Sequence, residues 1–331
     1  YVHSFRAIIF LKTDKIMKIK KILHSYPMLI IILLLGSYIR LYNVNNVGIY
    51  DWDSAYYGNS AKVPILTAEW LFNNSNNGFD NEALKDYLLK RGCNSHIVKP
   101  GHLFLITISY LIFGINDLAV LMVSALSGIG IILLTFFIAK RMYNKNVGYI
   151  AAAIISISGQ QVIYSRTGFP QMDTTLIFCI AFYLFWEYVC NNDKRSLIYS
   201  SLFCGLTLLF HQSVYIVIFP LLIAIIFYAI RNYENGLIKG LKYCFYFIVI
   251  MSAIFMSAQL LIMFLNSFNP SGGSDFLLRN TERVQQGFER FSITIPKLMF
   301  YPKMLWRLEG PIITTLIPFS SWGVFINFEN N

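Results

Sequence analysis

Charged residues are scarce in this sequence. Asp, Glu, Lys and Arg make up 13% of its 331 residues, whereas a soluble domain carries roughly 25%. Hydrophobic residues make up 56%, and the mean hydropathy is +0.54. This composition excludes an ordinary soluble domain and indicates an integral membrane protein.

The motifs of several functional classes are also absent. The five cysteines form no CxxC pair and no Cys/His spacing that would hold a metal. The sequence has no P-loop, no GxGxxG and no internal repeat, so an ATP-driven pump would need a second chain. The net charge of +10 comes from Lys and Arg in short runs between apolar segments. We therefore expect orientation charge and no nucleic-acid binding.

Apolar runs predict the membrane spans. The predicted spans are 24–42, 118–139, 147–165, 173–190, 197–212, 214–230 and 241–265. The run 101–113 is short and fits a re-entrant or interfacial helix better than a span. If it does not cross, the basic loops 140–146, 191–196 and 231–242 all lie in the cytoplasm with the basic N terminus, as the positive-inside rule requires.

This orientation defines the parts of the chain. They are a cytoplasmic basic N terminus (1–23), a transmembrane core (24–265) with outer loops at 43–117 and 166–172, an extracytoplasmic loop (266–309) and the start of a further transmembrane helix (310–331). Two helices, near 54–72 and 80–91, are expected in the first outer loop because the turn-rich 73–78 separates them. The unfinished last run indicates a truncated gene or a fragment.

An acidic and aromatic cluster follows the first predicted span. In extended backbone, Asp51 and Asp53 project to the same side. Two carboxylates so placed can share a divalent cation, or one of them can act as a general base. The alternative is a solvated acidic turn in which Trp52, Tyr56 and Tyr57 anchor the chain at the membrane interface.

Lys99 belongs to a second polar cluster, together with His102. Pro100 prevents a helix from extending backwards, so Lys99 stands just ahead of the apolar run. A lysine there is a point charge suited to a lipid phosphate. Alternatively, it extends to the lipid headgroups.

Two further polar positions lie at the same predicted depth. Asp173 starts a span, where the helix dipole favours a carboxylate and where an ionisable residue at the membrane edge indicates a function. Arg166 shortly precedes it. His211 interrupts an apolar run, and a lone histidine of this kind is more often a structural hydrogen-bonding residue than a catalyst.

Taken in order, these clusters resemble the motifs of the GT-C superfamily of membrane glycosyltransferases, above all the protein mannosyltransferase and aminoarabinose transferase group. The resembling segments are Arg40-Leu41-Tyr42, Asp53-Ser54-Ala55-Tyr56, Lys99-Pro100-Gly101, Phe113-Gly114, Tyr164-Ser165-Arg166 with Asp173, and Gly205-Leu206 with His211. Ser54 stands where the group commonly has Glu, and Gly101 replaces a second Pro. Arg40 and Tyr42 end the first span like an interfacial anchor.

The resemblance implies an all-α integral membrane protein, a polytopic GT-C-type helical bundle whose long extracytoplasmic first loop contains juxtamembrane helices. It implies a location in the cell (inner) membrane. The implied activity moves a sugar from a polyprenyl-phosphate-linked donor to a hydroxyl of a glycan, lipid or protein acceptor, with inversion. A degenerate, non-catalytic protein of the same fold and a lipid or solute transporter stay open as alternatives.

The resemblance also implies roles for particular residues. Asp53 would be the general base, and Asp173 a second catalytic acid that positions the acceptor or the base. The donor phosphate would be bound by Lys99, Arg166 and His211, and the acceptor or sugar by Asp51, Tyr56, Tyr57 and His102. No cofactor is required, although Asp51 and Asp53 could hold Mg or Mn. The hypothesis requires Asp53, Lys99 and Asp173 to share one side of the membrane.

Overall fold

A computed structural model describes residues 26–75, 79–93, 99–211 and 214–267 of the chain. These ranges form helices and turns and no strand. The helices are α1 (Pro27–Leu41), α2 (Trp52–Asn73), α3 (Asn81–Lys90), α4 (Pro100–Phe113), α5 (Asp117–Met142), α6 (Lys145–Ile157), α7 (Gly159–Ser165), α8 (Gln171–Asn191), α9 (Lys194–Phe210), α10 (Tyr215–Asn232) and α11 (Gly236–Ser267). The predicted segments 1–23 and 310–331 lie outside the described residues, as does the predicted loop 266–309 apart from its first two residues, which belong to α11.

The helices confirm the predicted all-α architecture. Within the described ranges, four helices are long and apolar enough to cross a membrane, namely α1 with the turn that follows it, α5, α8 and α11. The pair α6 and α7 makes a fifth if the two count as one span bent by 59°. Helices α9 and α10 occupy the other two predicted spans and are shorter or less apolar than these helices.

Helix α9 is short of apolar residues because its inner face is built for close packing. Ser200 is buried and donates to the carbonyl of Ala181 in α8 at 2.8 Å. On the side facing α11, a Cβ at Gly205 would lie 2.8 Å from the carbonyl oxygen of Met251. Small residues that let backbones approach are typical of helix contacts in membranes.

The first loop contains the two predicted helices, α2 and α3, and the short helix α4. Helix α4 has 14 residues, fewer than the roughly 20 that a span needs. It packs on α2, where Thr107 and Tyr110 donate to the carbonyls of Ala61 and Gly58, each at 3.0 Å. Cys93 is buried in the apolar cluster between α2 and α3.

Three tight turns meet at one end of the bundle, which we call the basic end and define by residues 143–144, 192–193 and 233–235. Arg141 donates to Glu187 at 2.6 Å and so joins the end of α5 to the end of α8. Tyr233 contacts Asn192 from the third turn. The three predicted basic loops therefore lie together, and Glu187 belongs to this network.

Candidate active site

Three distant segments meet at the opposite end of the bundle, which we call the site end and define by 51–57, 99–102 and 165–173. A Cβ on Gly168 would lie 2.8 Å from the Cβ of Ser54, so the second outer loop touches the start of α2. A Cβ on Gly101 would lie 2.6 Å from the Phe210 ring, so α4 touches the end of α9. Asp53, Lys99 and Asp173 thus share one end, as the hypothesis requires.

His102 and Asp173 form a hydrogen-bonded pair inside the site end. Both side chains are fully buried. His102 Nδ1 lies 2.5 Å from Asp173 Oδ2, and His102 Nε2 lies 2.9 Å from the carbonyl oxygen of Gly168. The other carboxylate oxygen, Asp173 Oδ1, has no hydrogen-bond partner among the described residues.

Lys99 is the N-cap residue of α4, as Pro100 predicts. Its ammonium donates to the Tyr57 hydroxyl at 2.6 Å. The Tyr57 ring in turn meets the edge of the His102 ring, with centroids 5.2 Å apart. These contacts connect Lys99, the predicted phosphate-binding residue, to the buried pair through Tyr57.

His211 lies near Lys99, in the turn after α9. Burial, and secondly the charge of Lys99, lower the pKa of His211 to about 4. His211 is therefore neutral at neutral pH and would contact a phosphate as a hydrogen-bond donor rather than as a cation. The sequence placed both residues at one depth, and the structure brings them into electrostatic contact.

The first acidic cluster differs from its predicted geometry. Asp51 is the N-cap of α2 and accepts from both the backbone N–H and the hydroxyl of Ser54, at 2.6 and 2.7 Å. Because the helix begins at Trp52, the extended backbone assumed for this segment is wrong, and side chains two positions apart on a helix do not face each other. No group of three potential metal ligands occurs within the described ranges.

The exposure of the acids separates them into two kinds. Asp53 lies in the first turn of α2 and is exposed to solvent, whereas Asp173 is fully buried. Beside Asp53, the ring of Tyr56 packs against those of Trp52 and Tyr57, with centroids 5.5 and 5.9 Å apart. Asp53 is therefore accessible from outside the bundle, whereas Asp173 is not.

Both arginines of the resembling motifs bind backbone carbonyls. Arg166 donates from Nη1 to Ile39 and Tyr42 at 2.9 and 2.8 Å, at the end of α1. Arg40 is fully buried, so the interfacial anchor predicted for Arg40 and Tyr42 is wrong for Arg40. Its guanidinium donates to Ile155 and Ser156 beside the bend between α6 and α7, at 3.1 and 2.9 Å. A broken helix leaves carbonyls that need such donors inside a membrane.

Three features of the site were not identified from the sequence. They are the donation of His102 to Gly168, the contact of Gly168 with Ser54, and the Phe210 ring over Gly101. One of them, the Phe210 contact, had a signal in the sequence. Gly101 stands where the motif resembled by Lys99-Pro100-Gly101 commonly has a second Pro. The ring of Phe210 occupies the space that a side chain at position 101 would need.

Comparison with known proteins places the chain among its relatives. The family described as dolichyl-phosphate-mannose-protein mannosyltransferase matches residues 98–263. An uncharacterized protein of Aquifex aeolicus (strain VF5) is 27% identical over 96 residues, which are 29% of this chain and 19% of that protein. The crystal structure of the Archaeoglobus fulgidus oligosaccharyltransferase, in complex with Zn and sulfate, matches with a TM-score of 0.49 at 17% identity, over 92% of this chain and 40% of that one.

The chain thus spans about a fifth and two fifths of the lengths of these two proteins. The family match, by contrast, extends over half of this chain and includes Lys99, Arg166, Asp173 and His211. Together with the all-helical fold and its apolar spans, this match means that the chain is a multi-pass membrane protein of the GT-C type and belongs to the dolichyl-phosphate-mannose-protein mannosyltransferase family.

Proposed function

We propose that this protein is a membrane glycosyltransferase that moves a sugar from a polyprenyl-phosphate donor to an acceptor hydroxyl, with inversion. One observation carries the proposal. The segments with Asp53, Lys99 and Asp173 converge at the end of the bundle opposite to the basic turns. An acid and a cation at one membrane surface are what a lipid-phosphate donor needs.

The chemistry follows from the donor. The acceptor oxygen attacks the anomeric carbon and forms the new C–O bond, while the bond from that carbon to the phosphate oxygen breaks and the electron pair leaves with the phosphate. Asp53 takes the proton of the acceptor hydroxyl. Asp53 suits this role because it is exposed, and a positioned base contributes typically about 10²- to 10⁴-fold to the rate.

Lys99 supplies the positive charge for the departing phosphate. Its ammonium is oriented by Tyr57, and a positioned cation at the leaving group stabilises the charge that develops there. His211 adds a neutral donor beside it. Arg166 uses Nη1 on the end of α1 and would reach the phosphate with its remaining N–H groups.

The substrates and the orientation belong to the same proposal. The basic end faces the cytoplasm of a cell (inner) membrane by the positive-inside rule, so the site end faces outward. The polyprenyl tail lies in the bilayer among the helices. The acceptor is a glycan, lipid or protein hydroxyl, which Tyr56 and the neighbouring aromatic rings would contact.

The proposed reaction needs no cofactor. A divalent cation shared by Asp51 and Asp53 fits the described residues poorly, because both oxygens of Asp51 accept from Ser54 and the two carboxylates lie on different faces of the helix start. No step of the proposed mechanism passes through a metal.

The test is sugar transfer by the full-length protein in membranes supplied with lipid-linked sugars. Asp53→Asn is expected to lower the rate by about 100-fold or more. Asp86→Asn is the matched control, since Asp86 is an exposed acid of the same outer loop, 61% exposed in its pair with Lys90. Unchanged transfer in Asp53→Asn removes Asp53 from the mechanism. A wild-type protein that transfers no lipid-linked sugar overturns the function in favour of the non-catalytic or transporter alternatives.

A further inference from the structure

We infer that His102 and Asp173 act as a positioning pair that holds Lys99 in place, and that Asp173 does not itself act on the substrate. The inference rests on the proposed function for the role of Lys99. It changes the part assigned to Asp173, which the resemblance made a catalytic acid.

The hydrogen bonds determine how many protons the pair holds. The carbonyl oxygen of Gly168 can only accept, so His102 Nε2 carries a proton. A separation of 2.5 Å between His102 Nδ1 and Asp173 Oδ2 requires a second proton between these atoms, because two lone pairs would repel each other. Whichever atom holds that proton, the pair has a net charge of zero.

A pair in this state is poorly suited to acid–base chemistry on a substrate. Asp173 Oδ2 already shares a proton with His102, and a general base must be within hydrogen-bond reach of the proton that it abstracts. Neither side chain has any exposed surface. Neutrality does, however, let the pair stay inside the bundle without an uncompensated buried charge.

The contacts of the pair lead directly to Lys99. His102 lies in the first turn of α4, three residues after Lys99. Its two hydrogen bonds attach that turn to Gly168 and to the first turn of α8. The edge of its ring meets Tyr57, whose hydroxyl accepts from the Lys99 ammonium. The pair thus determines where both the backbone of Lys99 and its partner Tyr57 lie.

A close packing contact keeps α4 in the bundle independently of the pair, because Gly101 lies against the Phe210 ring at the end of α9. If the pair is broken, the first turn of α4 loses its attachment to α8 and can shift, while the rest of the helix stays packed on α2. The expected consequence is a displaced Lys99 in a protein that still folds.

Two substitutions separate positioning from chemistry. In Asp173→Asn, the amide nitrogen can donate to Nδ1 of a neutral His102, while Nε2 still donates to Gly168, so the geometry and the zero net charge are kept. Asp173→Ala removes the bond and leaves Nδ1 buried without a partner. If Asp173 is a positioning residue, the first variant behaves like wild type and the second does not.

The readout is acetylation of lysines in the purified full-length protein, followed by mass spectrometry, with Lys90 as the internal reference because its side chain is 74% exposed. Asp173→Ala is expected to raise the labelling rate of Lys99 about fivefold, which corresponds to the loss of one hydrogen bond of about 1 kcal/mol. Asp173→Asn is expected to leave it unchanged. Thermal unfolding of each variant verifies folding.

Sugar transfer is measured on the same variants. Asp173→Asn is expected to stay within about twofold of wild type, and Asp173→Ala to raise the donor KM about fivefold, in line with the displacement of Lys99 that the labelling measures. Unchanged Lys99 labelling in a folded Asp173→Ala protein overturns the inference. So does an Asp173→Asn protein that loses transfer while Lys99 stays protected, because Asp173 then acts in the chemistry.

The two measurements, lysine labelling and sugar transfer, also separate this inference from the proposed function. If the wild-type protein transfers no sugar but Lys99 labelling responds as expected, the proposed function fails and the positioning pair stands. If Asp173→Ala does not fold, the test rests on Asp173→Asn. This variant is expected to fold and to show wild-type labelling of Lys99, and failure of either expectation overturns the inference. Labelling of Lys99 raised as much in Asp173→Asn as in His102→Ala would overturn the pair.

Discussion

Arg40 Nε donates to Ser165 Oγ at 3.2 Å, although the two residues are 125 positions apart. The contact joins the end of α1 to the last residue of α7, and the same guanidinium donates to carbonyls at the end of α6. One buried cation therefore holds both halves of the bent helix against the first span. This arrangement supports the second outer loop, which begins at the next residue.

Replacement of Arg40 by Ala is expected to lower the free energy of unfolding by about 3 kcal/mol, because several buried carbonyls lose their donors. Arg40→Lys should recover only part of this loss, since an ammonium cannot reproduce the planar fork of donors. Thermal unfolding in detergent measures the effect. Arg91→Ala is the control, because Arg91 is half exposed and its pair with Glu69 is a surface ion pair worth about 0–1 kcal/mol. Equal losses in both variants would contradict this account.

Gly205 is expected to tolerate no side chain. A Cβ there would lie 2.8 Å from the carbonyl oxygen of Met251, which belongs to the backbone of α11 and cannot rotate away. Gly205→Ala should destabilise the protein by about 1–3 kcal/mol through overpacking, measured as a lower unfolding temperature. Leu206→Ala serves as the comparison, because Leu206 is the next residue of the same helix and its side chain is 36% exposed. A Gly205→Ala protein as stable as wild type would show that α9 and α11 do not pack this closely.

His211 is expected to make the protein less stable in acid. Its pKa is lowered from 6.5 to about 4, first by burial and then by Lys99. Between these two values the unfolded chain binds a proton that the folded chain does not, so stability falls as the pH drops from 6.5 towards 4. The unfolding temperature of His211→Gln should fall less steeply over this range than that of wild type. Parallel curves for the two proteins would contradict the assignment.

Asp51 is expected to contribute to the start of α2 rather than to metal binding. Asp51→Ala removes the acceptor for Ser54 and should cost about 1 kcal/mol of stability, as the loss of an N-cap does, while Asp51→Asn should cost less. Sugar transfer by wild type should stay within about twofold after treatment with a chelator. Activity that disappears with the chelator and returns with Mg or Mn would restore the shared-cation hypothesis.

Much of the helical framework could be predicted from local sequence. Apolar runs located α5, α8 and α11 because a span needs a long unbroken apolar stretch. Pro100 located the start of α4, since proline is favoured in the first turn of a helix. The basic loops predicted which turns lie together, because positive charge gathers on one side of a membrane. These properties depend on residues that are neighbours in the chain.

The low hydropathy of α9 could not be explained from local sequence. Its apolar run predicts a span, but its inner face carries small and polar residues whose hydrogen bonds go to other helices, as that of Ser200 goes to Ala181. Hydropathy measures the affinity of a segment for lipid, whereas α9 is covered largely by protein. Which faces are covered depends on the arrangement of the whole bundle.

By itself, the sequence determined that this protein is a helical membrane protein, which turns lie at its basic end, and which polar residues lie at the other end. Only the tertiary structure decided how those polar residues are used. Asp173 and His102 are 71 positions apart and bond to each other, Asp51 caps a helix, and Arg40 is buried in the bundle instead of anchoring it. The physical reason is that hydrophobicity and charge act along the chain, whereas hydrogen bonding and burial depend on the segments that folding brings together.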